Sequence, residues 1–160
     1  MNDYVIYKMT EKDKPKVLEI IRKWGADFIV SRGKKIYPAE IEGFYTLNSE
    51  NEISGLVTFE ISGEQCELVT LDSFQKFQGI GTALLEHLKK YLKTKNCKRL
   101  WLITLNDNLD AIRFYQKRGF RLSNIYINAL ENSRKIKPSI ARTGNYGIEL
   151  RDEIEFELRL

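Results

Sequence analysis

Apolar residues recur along this chain in two rhythms. Between residues 44 and 71 they alternate with polar ones, the period of strands covered on one face, and polar clusters at 48–52 and 62–64 divide the stretch into strands at 44–47, 53–61 and 66–71. Such closely spaced strands predict an antiparallel meander. Helical spacing takes over at 79–92, where Leu84, Leu85, Leu88 and Leu92 form one face and Lys89, Lys90 and Lys93 crowd the C-terminal end, as the helix dipole favours. Residues 100–105 are an apolar run of strand length, 108–117 a second helix stopped by Gly119, and 120–127 and 154–160 alternate again like closing strands. Ahead of the meander, 4–9 reads as a strand. Thr10 or Asp13 then caps a helix carrying Val17, Leu18, Ile20, Ile21 and Trp24. Two stretches fit neither rhythm: 25–43 predicts a short helix at 27–30 running into a mobile loop, and 128–146, polar and basic, predicts an insertion or long loop over the sheet. Interleaved strands and helices without internal repeats make one mixed α/β domain over 1–160, built on a central sheet.

Composition narrows the class. With 160 residues, 42% of them hydrophobic and 30% charged, the chain can bury one core and has the profile of a folded globular protein. No run approaches the roughly 18 apolar residues that a membrane span needs, so no membrane association and a cytoplasmic location are expected. Cys66 and Cys97 read as buried, reduced thiols, and His87, the only histidine, is expected on the solvent side of its helix. Metal binding and histidine catalysis are accordingly not expected. The charge is uneven: net −3 over 1–70, +10 over 71–142 and −3 over 143–160. An anion should therefore bind in the middle of the chain. The basic residues carry no motif that would set a groove-reading element, so a small polyanionic cofactor explains them better than nucleic acid.

The segment 68–82 runs from a buried strand through a loop into a helix, with Gly79 and Gly81 at the turn. Glycines there allow close approach of a ligand to the backbone, and the first amides of a helix are free to bind phosphate oxygens. Two glycines alone are equally the signature of a tight turn. A second cluster follows, with Asn108, Ala111, Phe114, Tyr115, Gly119 and Phe120 in the pattern N-x-x-A-x-x-F-Y-x-x-x-G-F. Together the two resemble the GNAT superfamily of N-acetyltransferases, whose cofactor loop reads (Q/R)-x-x-G-x-(G/A). Gly79 and Gly81 match that loop; its leading position is Lys76, which keeps a positive donor but loses the planar fork of arginine.

The resemblance implies a mostly antiparallel sheet of six to seven strands flanked by about four helices, with acetyl-CoA as cosubstrate and a primary amine of a small molecule or peptide as acceptor. A homodimer is compatible with it. Residue by residue, it implies that the backbone of Lys76, Phe77, Gln78, Gly79, Ile80, Gly81 and Thr82 holds the pyrophosphate. Leu71 would pair with the pantetheine arm, Asn108 would hydrogen-bond the cofactor, and Phe114 and Tyr115 would lie beside it. Two strands would splay apart to admit the arm. Direct attack by a neutral amine then needs a base, for which Glu67, Asp72 and water remain open, with Glu67 favoured as an acid on an otherwise apolar strand. The Leu71 amide suits the oxyanion, and Tyr115 suits the acid that protonates the departing thiolate. The competing reading is a sensor or scaffold that holds acetyl-CoA without turnover. For the acceptor, basic and aromatic residues in the two irregular stretches (Arg32, Lys34, Lys35 and Tyr37; Arg134, Lys135, Lys137, Arg142 and Tyr146) leave open either an anionic group on the acceptor or plainly solvated charge.

Overall fold

The computed structural model describes residues 3–75 and 78–160. In chain order the elements are β1 (Tyr7–Lys8), α1 (Lys14–Arg22), β2 (Ile29–Ser31), β3 (Lys34–Ile36), β4 (Glu42–Leu47), β5 (Ile53–Ser62), β6 (Gln65–Ser73), α2 (Ile80–Thr94), β7 (Arg99–Leu105), α3 (Leu109–Lys117), β8 (Arg121–Tyr126), α4 (Ala129–Ile136) and β9 (Glu153–Arg159). Seven strands form one sheet in the order β1-β4-β5-β6-β7-β9-β8, while β2 and β3 pair only with each other. All neighbours run antiparallel except β6 and β7. The expected mixed α/β domain, mostly antiparallel, is what forms.

Alternation along the central strands decides what each face receives. Val57 and Phe59 of β5 meet Leu84, Leu85, Leu88 and Leu92 of α2 in a cluster that also takes in Phe44, Leu100, Leu102 and Phe156. Leu56, on the opposite face, packs with Val17 and Ile21 of α1 and with Ala39. Side chains one residue apart on β5 thus serve two layers, as period-two geometry requires.

Two features of β6 position everything that follows. Opposite β5, Thr58 pairs with Thr70 and Phe59 with Leu68, so Val69 is an extra residue, a β-bulge. Beside β7, pairing is confined to Gln65 to Glu67 against Arg99 to Trp101. A bulge bends its strand and sharpens its twist, and here it carries the remainder of β6 away from β7. The sheet therefore opens into a wedge between Leu68 to Ser73 on one side and Leu102 to Leu105 on the other.

Three expectations need correction. The helix expected at 27–30 is instead the β2–β3 hairpin, turning at Arg32 (φ 51°) and Gly33 (φ 73°). Residues 128–146, expected as a loop, contain α4, which buries Leu130 and Ser133. His87 is half-buried and not solvent-facing: its ring stands edge-on to Phe44 at 4.6 Å, and burial pushes its pKa down.

Candidate active site

The wedge between β6 and β7 is approached from two directions. On the α2 side lies a groove of about 480 Å³ whose walls include Gly79, Ile80, Gly81 and Thr82 from the start of α2, and Phe114, Tyr115 and Arg118 from α3 and its end. On the α1 side lies a cavity of about 210 Å³ bounded by Trp24, Ile29, Thr70, Asp72, Thr104 and Asn108, among others. Leu71, Ala111 and Tyr115 line both. The two spaces thus meet through the sheet at these three residues.

The α2 end of the groove presents free backbone donors. Gly79 caps α2 with φ 75°, a conformation that an L side chain resists, and the first intrahelical bond is Ala83 N–H to Gly79 O at 3.0 Å. The amides of Ile80, Gly81 and Thr82 precede it and have no intrahelical acceptor. At Gly81 an added Cβ would sit 3.4 Å from Phe114 Cζ, so Phe114 already closes that side of the turn. Tyr4 donates its hydroxyl to Gln78 O, fixing the end of the loop against the first strand region. Lys76 and Phe77 lie outside the described residues.

Sequence reading missed Arg118. Its Nε and Nη2 donate to Thr82 Oγ1 at 3.0 and 2.8 Å, its Nη1 donates to Phe114 O at 2.9 Å, and the guanidinium lies 3.6 Å from the Phe114 ring centroid. Among the described residues it pairs with no carboxylate. A part-buried guanidinium beside free helix amides adds positive charge where the groove already carries it. The only sequence signal was its place just before Gly119, which does not reveal that its side chain returns to Thr82.

At the junction, Tyr115 is 7% exposed, yet its hydroxyl makes no hydrogen bond among the described residues, and none of their buried side-chain polar atoms lacks a partner. The hydroxyl therefore faces open space. Burial first, and the nearby Asp72 charge second, push its pKa up, so the phenol stays protonated at neutral pH. Asp72 likewise accepts no hydrogen bond among these residues, and burial raises its carboxyl to about 6. Asn108 caps α3 by accepting from Ala111 N–H at 3.2 Å, which leaves its amide nitrogen for the cavity it borders.

Glu67 is placed differently. Its Oε2 accepts from Ser31 Oγ at 2.7 Å beneath the β2–β3 hairpin, and it borders neither the groove nor the cavity. Burial raises its pKa as well, opposed by the Ser31 bond. Glu67 and Asp72 are five residues apart and would face opposite ways on a regular strand. Their partners on β5, Glu60 and Leu56, lie on one face, so the Val69 bulge puts both carboxylates on the α1 side, with Asp72 at the wedge. Among the described residues no His, Cys, Asp and Glu side chains group as metal ligands, and no helix is long and apolar enough to cross a membrane.

Comparison with known proteins bears on the family and the fold. The family model described as Acetyltransferase (GNAT) family matches residues 7–120. The uncharacterised protein YdhI of Bacillus subtilis is 45% identical over 117 residues, 73% of each chain. An IAA acetyltransferase from Bacillus cereus superposes with a TM-score of 0.75 at 19% identity over 99% of this chain and all of its own. A GNAT family acetyltransferase from Elizabethkingia anophelis, with acetyl-CoA bound, does so at 0.70 and 23% identity over the whole of both chains.

Proposed function

The chain belongs to the acetyltransferase (GNAT) family, and from that premise we propose that it moves the acetyl group of acetyl-CoA to a primary amine by direct attack within a ternary complex. The observation that carries this reading is the meeting of groove and cavity at Leu71, Ala111 and Tyr115, which lets a cofactor enter from one face and an acceptor from the other. The amides of Gln78 to Thr82, with Lys76, Phe77 and the Arg118 guanidinium, hold the pyrophosphate. The pantetheine arm lies along the free edge of β6 at Leu71, against Phe114, and reaches Asn108.

Asp72 takes the proton of the incoming ammonium, since its carboxyl faces the cavity and titrates near 6. Glu67, held by Ser31, stands second to it. The amine nitrogen bonds to the thioester carbon, and the backbone amide of Leu71 receives the oxyanion. The adduct nitrogen, cationic after attack, gives its extra proton to cavity water, and collapse of the adduct breaks the C–S bond. Tyr115 passes its phenolic proton to the departing thiolate and regains one from solvent.

Replacing Tyr115 with Phe tests the proposal. The variant should lose about 10²-fold in kcat, the usual scale for one general acid, with affinity for acetyl-CoA nearly unchanged. Steady-state thiol release together with titration calorimetry reads both. Equal turnover in the two proteins would remove Tyr115 from the reaction, and absence of turnover from the parent would favour a sensor.

A further inference from the structure

The cavity on the α1 side carries information about what enters it. Among the described residues that line it, Asp72 is the only one with a charged side chain; the remainder are apolar residues, threonines, Asn108 and Tyr115. None of the seven cations of the two flanking segments lines it, and four of them are held elsewhere. Arg32 donates its backbone N–H and Nη1 to Glu153, both at 3.1 Å, and stacks on Tyr126. Lys34 pairs with Glu60 at 3.1 Å, and Arg134 is spent on the carbonyls of Ile140, Ala141 and Leu150. Lys137 donates to Trp24 O and Phe28 O, each at 3.4 Å. None of these four side chains lines the cavity itself; the Lys137 ammonium meets only the backbone carbonyl of one wall residue, Trp24.

The same contacts close a route. Lys137 follows α4, while Trp24 and Phe28 follow α1, so its two bonds tie the end of one flanking segment to the other. Gly25 lies against Ser139, where an added Cβ would stand 3.5 Å from Oγ, and Arg32 fastens the hairpin to β9 through Glu153. An extended peptide lying between these segments would have to break those contacts. The space that remains, about 210 Å³, has room for about seven waters.

We infer that the acceptor is a compact small-molecule amine bearing no carboxylate or phosphate near the reacting nitrogen, its ammonium set against Asp72 and its apolar flank against Trp24 and Ile29. The inference rests on the transferase reading above and deepens it. An anionic group in this cavity would face Asp72 with no cation among the described lining residues to offset it, and a like-charge contact of that kind is strongly unfavourable. Free amino acids, whose carboxylate lies one carbon from the amine, are the substrates such a wall rejects.

Thiol release from acetyl-CoA, measured with amines matched to their carboxylated counterparts, tests this. Suitable pairs are phenethylamine with phenylalanine and tyramine with tyrosine, alongside a hexapeptide with a free N-terminus. The carboxylate-free member of a pair should show kcat/KM on the order of 100-fold higher than its partner. It should also exceed the peptide. A carboxylated member or the peptide reacting as well or better would overturn the inference while leaving the transferase reading intact. Transfer to none of these amines by a protein that binds acetyl-CoA would overturn both. Ile29→Arg, which adds a cation to the wall, should narrow the gap within each pair about tenfold or more; an unchanged gap would show that wall charge does not set the preference.

Discussion

Asp72 is a carboxylate that the fold keeps under strain. Free in an unfolded chain it would titrate near 3.8, while burial beside Tyr115 without a hydrogen bond raises it to about 6. Because the folded value is the higher one, the native state holds a proton that the unfolded state has released, and stability falls as pH rises from about 4 to about 6. Asp72→Asn should therefore raise the melting temperature measured at pH 7 and flatten its pH dependence, with a gain on the order of 1–3 kcal/mol. The same substitution should remove most of the activity. In the parent protein kcat/KM should climb as pH passes through about 6, where Asp72 becomes a base; a rate profile without that limb would leave the role to Glu67 or water. Choosing between the two carboxylates was beyond the sequence. Both sit on one acidic, otherwise apolar strand, and the bulge at Val69, which has no residue signature here, decides which of them meets the wedge.

Elements with a strong rhythm were legible: α2, α3 and the meander strands stand within a few residues of their expected places, because each buries a regular face. The β2–β3 hairpin was not. Its strands are three residues long, too short for alternation to register, and its turn offered only Gly33 as a signal, since Arg32 takes a positive φ that asparagine, aspartate or glycine would have announced. The eight-residue α4 was hidden by its polar surface, with Leu130 and Ser133 alone fully covered. The turn into α2 was read as a cofactor loop only because the α3 pattern accompanied it, and the packing of the two helices explains why both patterns are needed. Phe114 of α3 touches the space above Gly81, and Arg118 anchors Thr82. Gly81→Glu would drive a side chain and a negative charge into that contact and beside the pyrophosphate. Binding of acetyl-CoA should weaken at least about 10²-fold by calorimetry, with the far-UV circular dichroism unchanged; retained affinity would count against this loop as the cofactor site.

At the scale of the whole molecule, the wedge divides the sheet into halves, β1-β4-β5-β6 and β7-β9-β8, joined by only a short parallel pairing at one end. One core nonetheless bridges them: the cluster that buries the apolar face of α2 takes in Phe44, Val57 and Phe59 of the first half together with Leu100, Leu102 and Phe156 of the second. Opening one half would strip apolar cover from the other, so the chain should unfold in a single cooperative transition, as one domain. A ligand that fills the wedge binds only when both halves are in place. Acetyl-CoA at 100 times its dissociation constant should then add about 2.7 kcal/mol, and raise the melting temperature by about 5–10 °C for a chain of this length. Scanning calorimetry with and without the cofactor checks both points. A first transition unaffected by acetyl-CoA, followed by a second that shifts, would mean that the cofactor rests on one half alone and that the wedge is not where it binds.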